Sequence, residues 1–551
     1  MQPAQLNRFS QMPSKGTQMY SADMPTTPAA NFVLAHLDTS SATGPDLLPT
    51  RILRECAAQL ASPLQLLACR ILKTGRWPEI WIEHWIVPLY KRKAVYDAMN
   101  YRGIHLTSQL SKAMERLIGT MWLPQLAAEP KFFGPNQFAY LPGKGARDAL
   151  AVMVLTWLLG MCRGQKFGLY CSDVSGAFDK VDATRLVHKL RIKGFTEEII
   201  LVLQSWLRKR HAKVVVGGKS SCAMDLENQV FQGTVWGPSL WNTYFEDARD
   251  AIAMHDFIGM VFADDLNSFK EFPMAVENTF ILDKIGDTQA SLHSWGKANS
   301  VEFDPAKESK HVISTYDPHG KDFKILGVTF DCKLTMDRAV HDTMVSCGWK
   351  LQTLLRSGRF FTSRELVNLY KAHILSFIEY RTSAIYHASD TVLKGLDNIQ
   401  SRMLRIVNAT EVEALVHFNL APLSTRREIA MLGLIHRAAI GKGPAQLMRF
   451  FHWHGQEKTC NVQTRWQASR HSSGLHEYRN GHHTDYLKRS ALGLVSVYNL
   501  LPKDILDMLD ISKFQGALQD LVKTYATRGD AQWQKLLSPR WDLTSHPLAR
   551  N

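Results

Sequence analysis

The sequence predicts an α+β fold in which a strand-rich segment lies between two helical ones. Residues 165–335 contain short apolar runs bounded by glycines and acidic residues, a pattern typical of strands. Before this segment, and again beyond residue 340, apolar residues recur every three or four positions, which indicates helices. With 551 residues and an apolar content of 45%, the chain is expected to form three or four globular domains or subdomains.

The N-terminal part begins with a segment of low complexity. Residues 1–40 are rich in Gln, Ser, Pro, Thr and Met, and we expect a disordered tail there. Residues 51–72 carry a helical stripe of apolar residues, and residues 81–90 look like a strand that ends in a basic turn. Thr107 and Ser108 are suitable caps for a helix that follows them.

The central segment contains one clear hairpin signal. A run of valines at 214–216 is followed by Gly217 and Gly218, which predicts two paired strands. Residues 237–254 predict a helix, and residues 323–328 predict another short strand. Beyond residue 340 the pattern is helical, with a long helix expected over 363–385 and a basic one over 394–407. Residues 492–525 are apolar and helical again.

The bulk properties favour a polyanionic partner. The net charge is +14 and the isoelectric point is near 9.3, an excess that suggests nucleic acid. The eight cysteines are scattered without paired spacing, so we expect a reducing compartment and no disulfide framework. The sequence shows neither a secretory signal nor an apolar run long enough to span a membrane, and we expect no membrane partner.

Two adjacent carboxylates stand inside an apolar run at Asp264 and Asp265. Their repulsion at contact distance is about 4 kcal/mol for an effective dielectric of about 20. A bound cation offsets such repulsion, and Mg²⁺ prefers carboxylate oxygens. A third acid, Asp173, ends an earlier apolar strand and is far enough upstream to return on a neighbouring strand of the same sheet. Together the three acids predict a two-ion site for phosphoryl transfer. Taken singly, the stretches favour the structural alternative, in which Asp264-Asp265 is a polar hairpin turn and Asp173 a solvated strand end.

Several short blocks follow one another in a specific order along the chain. They are Gly44-Pro45-Asp46, Asn100-Tyr101-Arg102-Gly103-Ile104, residues 173–179 (DVSGAFD), residues 232–238 (QGTVWGP) and Phe262-Ala263-Asp264-Asp265. In this order they resemble the blocks of the reverse transcriptase of non-LTR (LINE-type) retrotransposons, especially the jockey and CR1 groups. The resemblance extends from about residue 40 to 410, and more weakly to about 520.

The resemblance implies a right-hand polymerase. It has a disordered tail at 1–40, fingers at 41–164, a palm of antiparallel sheet and helices at 165–338, a helical thumb at 339–440 and a C-terminal helical extension of unknown role at 441–551. The implied activity is RNA-directed DNA polymerisation, in which a DNA 3′ end is extended on an RNA template with dNTPs. The implied cofactor is Mg²⁺, as two ions, with Mn²⁺ as a substitute. The implied location is a nuclear or cytoplasmic ribonucleoprotein.

The resemblance also assigns roles to individual residues. Asp173, Asp264 and Asp265 would hold the metals, and Lys307 would act as a general acid toward pyrophosphate. Leu326 and Gly327 would grip the primer end. Basic residues of the predicted thumb helices, among them Arg402 and Arg405, would follow the phosphates of the primer–template.

A second set of residues would bind the incoming nucleotide. Lys91 and Arg102 would clamp its triphosphate, and Phe178 would exclude a 2′-hydroxyl. The remaining members are Val174, Ser175, Gly176, Ala177, Gln232 and Gly233. For these residues the structural alternatives are a core phenylalanine at 178, a strand-end turn at 175–177, a loop-to-helix junction at 232–233 and solvated surface cations.

The sequence departs from the family pattern at four positions. Gly103 replaces a usual proline, Leu141 a usual arginine and Asp304 a usual asparagine, while Trp236 is bulkier than the common residue. These departures hint at relaxed constraint. A decayed copy that only binds nucleic acid therefore stays an alternative, as do an intron-maturase-like reverse transcriptase, an RNA-templated RNA polymerase and a structural RNA-binding protein.

Overall fold

The computed structural model describes residues 24–91, 94–227, 229–453, 474–478, 484–540 and 546–550. It mixes helices with mainly antiparallel sheets, which confirms the predicted α+β class. The described residues divide into two compact units. Unit 1 comprises Met1–Pro142, Ser172–Leu266 and Asp287–Glu308, and unit 2 comprises Gly143–Cys171, Asn267–Gly286 and Ser309–Asn551. The boundaries predicted for fingers, palm and thumb stay a prediction.

The strands of the described residues are β1 (Glu83–Tyr90), β2 (Tyr101–Leu106), β3 (Gln165–Asp173), β4 (Arg210–Val216), β5 (Lys219–Ser220), β6 (Met224–Leu226), β7 (Ile258–Phe262), β8 (Asp265–Pro273), β9 (Ser309–Ile313), β10 (Phe323–Ile325) and β11 (Val328–Phe330).

The helices of the first part of the chain are α1 (Thr27–Ala35), α2 (Thr50–Glu55), α3 (Ala57–Thr74), α4 (Gln109–Gly119), α5 (Leu123–Ala128), α6 (Pro130–Phe133), α7 (Ala146–Cys162), α8 (Ala183–Ile192), α9 (Glu197–Leu207), α10 (Gly237–Phe245), α11 (Ala248–Ala253) and α12 (Asn278–Asn299).

The helices that follow are α13 (Asp337–Arg356), α14 (Ser363–Tyr370), α15 (Ser376–Tyr380), α16 (Thr382–Ile385), α17 (Asp390–Ile406), α18 (Glu411–Phe418), α19 (Leu423–Ala439), α20 (Ala445–Met448), α21 (Thr484–Arg489), α22 (Ala491–Asn499), α23 (Lys503–Leu506) and α24 (Ile511–Thr527). None of the helices that the structure describes is both long and apolar enough to cross a bilayer.

Three sheets organise the strands of the described residues. In unit 1 the order is β2-β1-β4-β5, with β6 also on β4; β1 pairs with β2 antiparallel and with β4 parallel. A second sheet has the order β7-β8-β3-β9, and in it β3 and β9 are antiparallel, from Phe167 opposite Ile313 to Cys171 opposite Ser309. The third is the hairpin β10-β11 of unit 2. The second sheet carries two of the predicted site residues, because β3 ends with Asp173 and β8 begins with Asp265.

The predicted disordered tail at 1–40 is wrong for residues 27–35, which form α1. The hydroxyl of Thr26 accepts a hydrogen bond from the N–H of Ala29 at 3.3 Å, and Pro28 occupies the first turn, where proline is tolerated. Helix α1 buries Ala30 and Leu34 completely. The composition of the tail concealed this short capped helix. Residues 1–23 lie outside the described part of the chain.

Other predicted elements are confirmed with changed boundaries. The hairpin after residue 213 forms between β4 and β5. The helix predicted over 237–254 divides into α10 and α11. The single strand predicted over 323–328 is wrong, because Leu326 and Gly327 have positive φ angles (48° and 77°) and turn the chain back into β11. Over 363–385 the structure has α14, a π-helical turn at Lys371–Leu375, α15 and α16.

A cluster of tryptophans forms much of the core of unit 1. The ring of Trp236 lies 5.2–5.9 Å from those of Trp77, Trp122 and Trp206, and none of the four side chains is more than 4% exposed. The indole N–H of Trp236 donates to the carbonyl of Glu115 at 2.7 Å. The large residue at 236, which the sequence marked as a departure, is therefore matched by neighbouring aromatic rings.

The end of unit 2 is built around His436 on α19. Its ring stacks on Phe514 of α24 at 3.8 Å between centroids. One ring nitrogen lies 2.9 Å from the hydroxyl of Tyr498 on α22, and the other lies 2.7 Å from the carbonyl of Met508. Helices α22 and α24, which lie beyond residue 440, therefore pack on α19 within the same unit.

The tryptophan cluster predicts a large stability effect. Trp236→Ala removes a fully buried side chain and leaves a cavity, so the free energy of unfolding should fall by about 3–5 kcal/mol. Tyr96→Ala, at a site 91% exposed, is the matched control and should change it by less than about 0.5 kcal/mol. Urea unfolding followed by tryptophan fluorescence measures both, and equal effects would contradict the cluster's role.

Candidate active site

The structure brings the three predicted acids together in unit 1. Asp173 ends β3, Asp264 lies in the turn between β7 and β8, and Asp265 begins β8. The Asp173 carboxyl group lies close enough to the other two acids to help raise the pKa of Asp264 and of Asp265. Beneath them the hydroxyl of Ser172 donates to the carbonyl of Leu266 at 3.2 Å and joins the two strand ends. The metal-binding role of these acids stays a prediction.

Crowding of the carboxylates alters their protonation. Burial, and then the charge of Asp173, raise the pKa of Asp264. Burial, the hydrogen bond with Asp173 and the two neighbouring charges raise the pKa of Asp265 to about 7. Like charges that share a partly buried site disfavour simultaneous ionisation. The cluster therefore retains a proton near neutral pH unless a cation compensates for it.

Lys307 supplies part of that compensation. Its ammonium group contacts the carboxylate of Asp173 and lies 3.7 Å from that of Asp304. Although burial acts to lower it, the pKa of Lys307 is raised, chiefly by the hydrogen bond and charge of Asp173. The N–H of Asp304 donates to the carbonyl of Asp173 at 2.9 Å, which fixes the Lys307 turn beside β3. Lys307 is therefore an exposed but ion-paired lysine, and its role as a general acid stays a prediction.

The acids suit a hard divalent cation by their donor type, because Mg²⁺ prefers carboxylate oxygens. Within the described ranges, however, no group of three or more His, Cys, Asp or Glu side chains is arranged as a ready metal site. The neighbouring Asp173 helps to raise the pKa of Asp265, and the ammonium group of Lys307 contacts Asp173. The arrangement is that of an acid cluster held by a proton and an ammonium group, and both are groups that a cation of higher charge can displace.

The segment after Asp173 is tied back to the chain near residue 302. Val174 is buried and forms an isolated antiparallel bridge with Phe303. The N–H of Ser175 donates to the carbonyl of Glu302 at 2.8 Å, so in this conformation it is engaged within the protein. Gly176 has a φ of 63° and starts the short turn of Ala177. The assignment of residues 174–177 to nucleotide binding stays a prediction.

Phe178 is a core residue in this structure. Only 8% of it is exposed, and its ring stacks on that of Trp241 with 6.0 Å between centroids and 21° between planes. Its carbonyl accepts a hydrogen bond from the N–H of Val230 at 2.9 Å. The predicted role as a barrier to 2′-hydroxyls stays a prediction.

Glycine at position 233 has a clear structural reason. Gly233 has a φ of 102°, and a Cβ there would lie 2.8 Å from the carbonyl oxygen of His105. The N–H of His105 donates to the carbonyl of Gln232 at 2.9 Å, which explains the close approach of the two segments. Substitution would therefore push the loop away from β2.

A buried polar network that the sequence did not reveal supports this loop. The carboxylate of Glu115 accepts hydrogen bonds from the N–H of Val235 at 2.7 Å and from the indole of Trp206 at 3.2 Å. Arg210 contacts the ring nitrogen of His84 at 2.8 Å. Burial raises the pKa of Glu115, while the Arg210 charge acts against this. The one sign of this network in the sequence is Glu115, an acid within the predicted apolar stripe of helix α4.

The predicted triphosphate clamps lie near the ends of β1 and β2. Lys91 is exposed and its ammonium group donates to the carbonyl of Met99 at 3.2 Å. Arg102 is exposed on β2, and its positive charge acts to lower the pKa of Asp264. Arg102 is therefore electrostatically coupled to the acid cluster.

The predicted primer and template residues lie in unit 2. Leu326 and Gly327 form the turn between β10 and β11, and their carbonyls accept hydrogen bonds from Tyr380 at 2.9 Å and Arg381 at 3.3 Å. The remaining two, Arg402 and Arg405, are exposed on α17. Their roles stay predictions.

The side chains of Gln137 and Trp241 contact the turn that carries the acids, and neither was singled out in the sequence. Ala263 has a φ of 61°, a conformation that costs a residue with a Cβ about 1–2 kcal/mol. Its N–H donates to the amide oxygen of Gln137 at 3.1 Å, and its carbonyl accepts from the indole of Trp241 at 3.0 Å. The turn is strained and is held by groups from outside the hairpin.

The raised pKa of Asp265 predicts a pH-dependent stability. The folded protein keeps a proton on Asp265 up to about pH 7, whereas the unfolded chain loses it near pH 4. Asp265 therefore adds to the free energy of unfolding below about pH 4, and this contribution is lost as the pH rises to about 7. In chelator, the difference in Tm between wild type and Asp265→Asn should change over this range and level off above it. The control variant Asp283→Asn, at an exposed acid on α12, should give a constant difference. A flat difference for Asp265→Asn would contradict the prediction.

Comparison with known proteins identifies a family that matches part of the chain. The family described as "Reverse transcriptase (RNA-dependent DNA polymerase)" matches residues 91–330. The chain is 26% identical over 401 residues to the RNA-directed DNA polymerase from mobile element jockey of Drosophila melanogaster, a match that covers 68% of this chain and 43% of that protein. The jockey protein of Drosophila funebris is 26% identical over 409 residues, covering 70% and 44%.

Two further similarities complete the comparison. The probable RNA-directed DNA polymerase from transposon BS of Drosophila melanogaster is 25% identical over 312 residues, covering 53% of this chain and 34% of that protein. A structure of apo telomerase from Candida tropicalis, truncated from its C-terminal domain, is 14% identical with a TM-score of 0.34, covering 52% and 59%. The chain spans less than half the length of the curated relatives it matches. It carries, over residues 91–330, a reverse transcriptase domain similar to those of the jockey-like non-LTR retrotransposons.

Proposed function

We propose that this chain is an RNA-directed DNA polymerase that adds deoxynucleotides to a DNA 3′ end on an RNA template. The observation that carries the proposal is the convergence of Asp173, Asp264 and Asp265 within the matched domain. The similarity to polymerases of mobile elements supports the same conclusion. In an intact element the template would be the element's own RNA.

Asp173, Asp264 and Asp265 are the residues that would hold two Mg²⁺ ions, or Mn²⁺ in their place. Bound there, the ions would activate the primer hydroxyl and stabilise the charge on the transferred phosphoryl group. The raised pKa of Asp265 makes proton release a part of cation binding at this site. Lys307, displaced from Asp173, would be free to donate its proton to the departing pyrophosphate.

The substrate contacts follow from charge and shape. Arg102 offers a guanidinium to the triphosphate, and Lys91 a point charge. The amide of Gln232 would donate and accept hydrogen bonds around the nucleotide, and the positive φ of Gly233 would let the backbone there approach a base pair. The segment 174–177 lies beside Asp173, where the triphosphate would be held. Phe178 would distinguish dNTPs from rNTPs through the sugar.

Unit 2 carries the proposed primer and template contacts. Arg402 and Arg405 are exposed and would bind backbone phosphates in a salt-dependent way with little sequence preference. The turn at Leu326 and Gly327 would support the primer end. The net charge of +14 favours a polyanionic partner, and a ribonucleoprotein of RNA template and protein, nuclear or cytoplasmic, is the expected assembly.

The activity is tested by primer extension. With oligo(dT) on poly(rA), dTTP and Mg²⁺, the wild type should extend the primer, and Asp264→Asn should abolish extension because it removes a charged metal ligand. Lys488→Ala, at an exposed residue of α21, is the control and should extend normally. Gel electrophoresis of a labelled primer measures all three.

Two outcomes would contradict the proposal, and a third would favour a different kind of reverse transcriptase. A wild type that binds the primer–template but does not extend it would identify a decayed copy. Preferential use of rNTPs would identify an RNA-templated RNA polymerase instead. A requirement for structured intron RNA would favour the maturase-like alternative.

Lys307 gives a second prediction for the same reaction. Lys307→Ala should lower kcat by about 10²–10⁴-fold, the usual contribution of a general acid. Lys307→Arg keeps the positive charge beside Asp173 but cannot give up its proton, so it should not restore the rate. Single-turnover rates over a pH series measure the effect. Full rescue by arginine would show that Lys307 acts only as a counter-charge.

A further inference from the structure

The turn between β7 and β8 is a two-residue connection, Ala263-Asp264. The first residue of such a turn has positive φ and is commonly glycine. Here it is an alanine with a φ of 61°, 7% exposed. The hairpin alone does not favour this conformation, so the surrounding structure must hold it.

Both peptide groups of Ala263 are held by side chains from elsewhere in unit 1. The amide oxygen of Gln137 accepts from its N–H at 3.1 Å, and the indole of Trp241 donates to its carbonyl at 3.0 Å. Gln137 is 4% exposed and Trp241 is fully buried. Buried hydrogen bonds of this kind are costly to lose, because the freed backbone groups find no water.

Gln137 is itself fixed in position. Its amide oxygen also accepts from the N–H groups of Phe138 at 3.1 Å and Ala139 at 2.9 Å. The segment around it runs parallel to the end of β7, where Phe138 donates to the carbonyl of Val261 at 2.9 Å and Val261 donates to that of Asn136 at 3.0 Å. With three donors on one oxygen, Gln137 has no capacity left for a metal or a nucleotide at that atom.

The position of the turn decides how the acids meet. Asp264 follows Ala263 directly, and Asp173 repels it across the site. A turn free to relax would rotate Asp264 away from Asp173 and lower this repulsion. The two hydrogen bonds on Ala263 oppose that relaxation.

We propose that Gln137 and Trp241 are positioning residues, which hold Ala263 in its left-handed conformation and so keep Asp264 against Asp173 in the geometry needed for cation binding. The proposal deepens the proposed polymerase function and rests on it. Neither residue touches the reacting atoms, and both act through the backbone of residue 263.

The test uses Gln137→Met, which keeps the side-chain length but removes the acceptor, and Trp241→Phe, which keeps a ring but removes the N–H. Gln137→Met should lower kcat at least ten-fold and raise the Mg²⁺ concentration for half-maximal extension at least three-fold, with KM for dTTP changed less than two-fold. Trp241→Phe should give the same pattern with smaller changes.

Combining Gln137→Met with Ala263→Gly separates a loss of positioning at residue 263 from a general loss of stability. Glycine adopts positive φ without strain. Ala263→Gly alone should therefore stay within three-fold of wild type, and adding it to Gln137→Met should recover at least three-fold of the lost kcat. Gln109→Met removes another buried glutamine of unit 1, whose amide donates to the carbonyl of Ala42, and should leave the half-maximal Mg²⁺ concentration unchanged.

A readout independent of turnover is the increase in Tm that Mg²⁺ causes in the substrate-free protein. It should be at least halved in Gln137→Met and restored by Ala263→Gly. The positioning role is overturned if Gln137→Met lowers kcat by the same factor with and without Ala263→Gly. It is also overturned if Gln137→Met leaves the Mg²⁺-induced increase in Tm unchanged. If the wild type does not extend primers, the proposed function fails while the Tm response still decides the positioning role. A wild type without either response overturns both.

Discussion

The repulsion among Asp173, Asp264 and Asp265 is the constraint on which the rest of unit 1 depends. Unlike charges attract, but here the chain itself must force like charges together. It does so with backbone hydrogen bonds from residues 302–304, with the joined ends of β3 and β8, and with the ammonium group of Lys307. The cluster has a higher affinity for protons than isolated acids have, and the same property makes it responsive to cations.

The constraint extends to residues that carry no charge. Ala263, which precedes the two acids, has a strained left-handed backbone conformation. The buried side chains of Gln137 and Trp241 hold it in that conformation. The loop at Gln232 and Gly233 is supported in a similar way, since Glu115 holds the N–H of Val235. In both places a polar group buried in an apolar interior fixes the backbone of a loop. Burial makes each of these hydrogen bonds costly to break.

Sequence patterns reveal some of this structure and conceal the rest. The strand ending at Asp173 and the adjacent Asp264-Asp265 were detectable because acids interrupt apolar runs, and the order of the blocks located the domain. Gln137 was not detectable, because its three partners are backbone N–H groups, which every sequence has. The turn at Leu326 was missed because non-glycine residues rarely have positive φ. Helix α1 was missed because its capping and burial are local details within a segment of low-complexity composition.

The packing of His436 has a consequence for the gene as well as for the fold. Because α19 is joined to α22 and α24 through this ring, and Arg437 next to it pairs with Asp148 of α7, the helices beyond residue 484 are an integral part of unit 2. A premature stop codon downstream of the polymerase blocks would therefore do more than trim an appendage. It would expose the apolar side of α19, and the shortened product would be a substrate for proteolysis even though every acid of the site is still encoded.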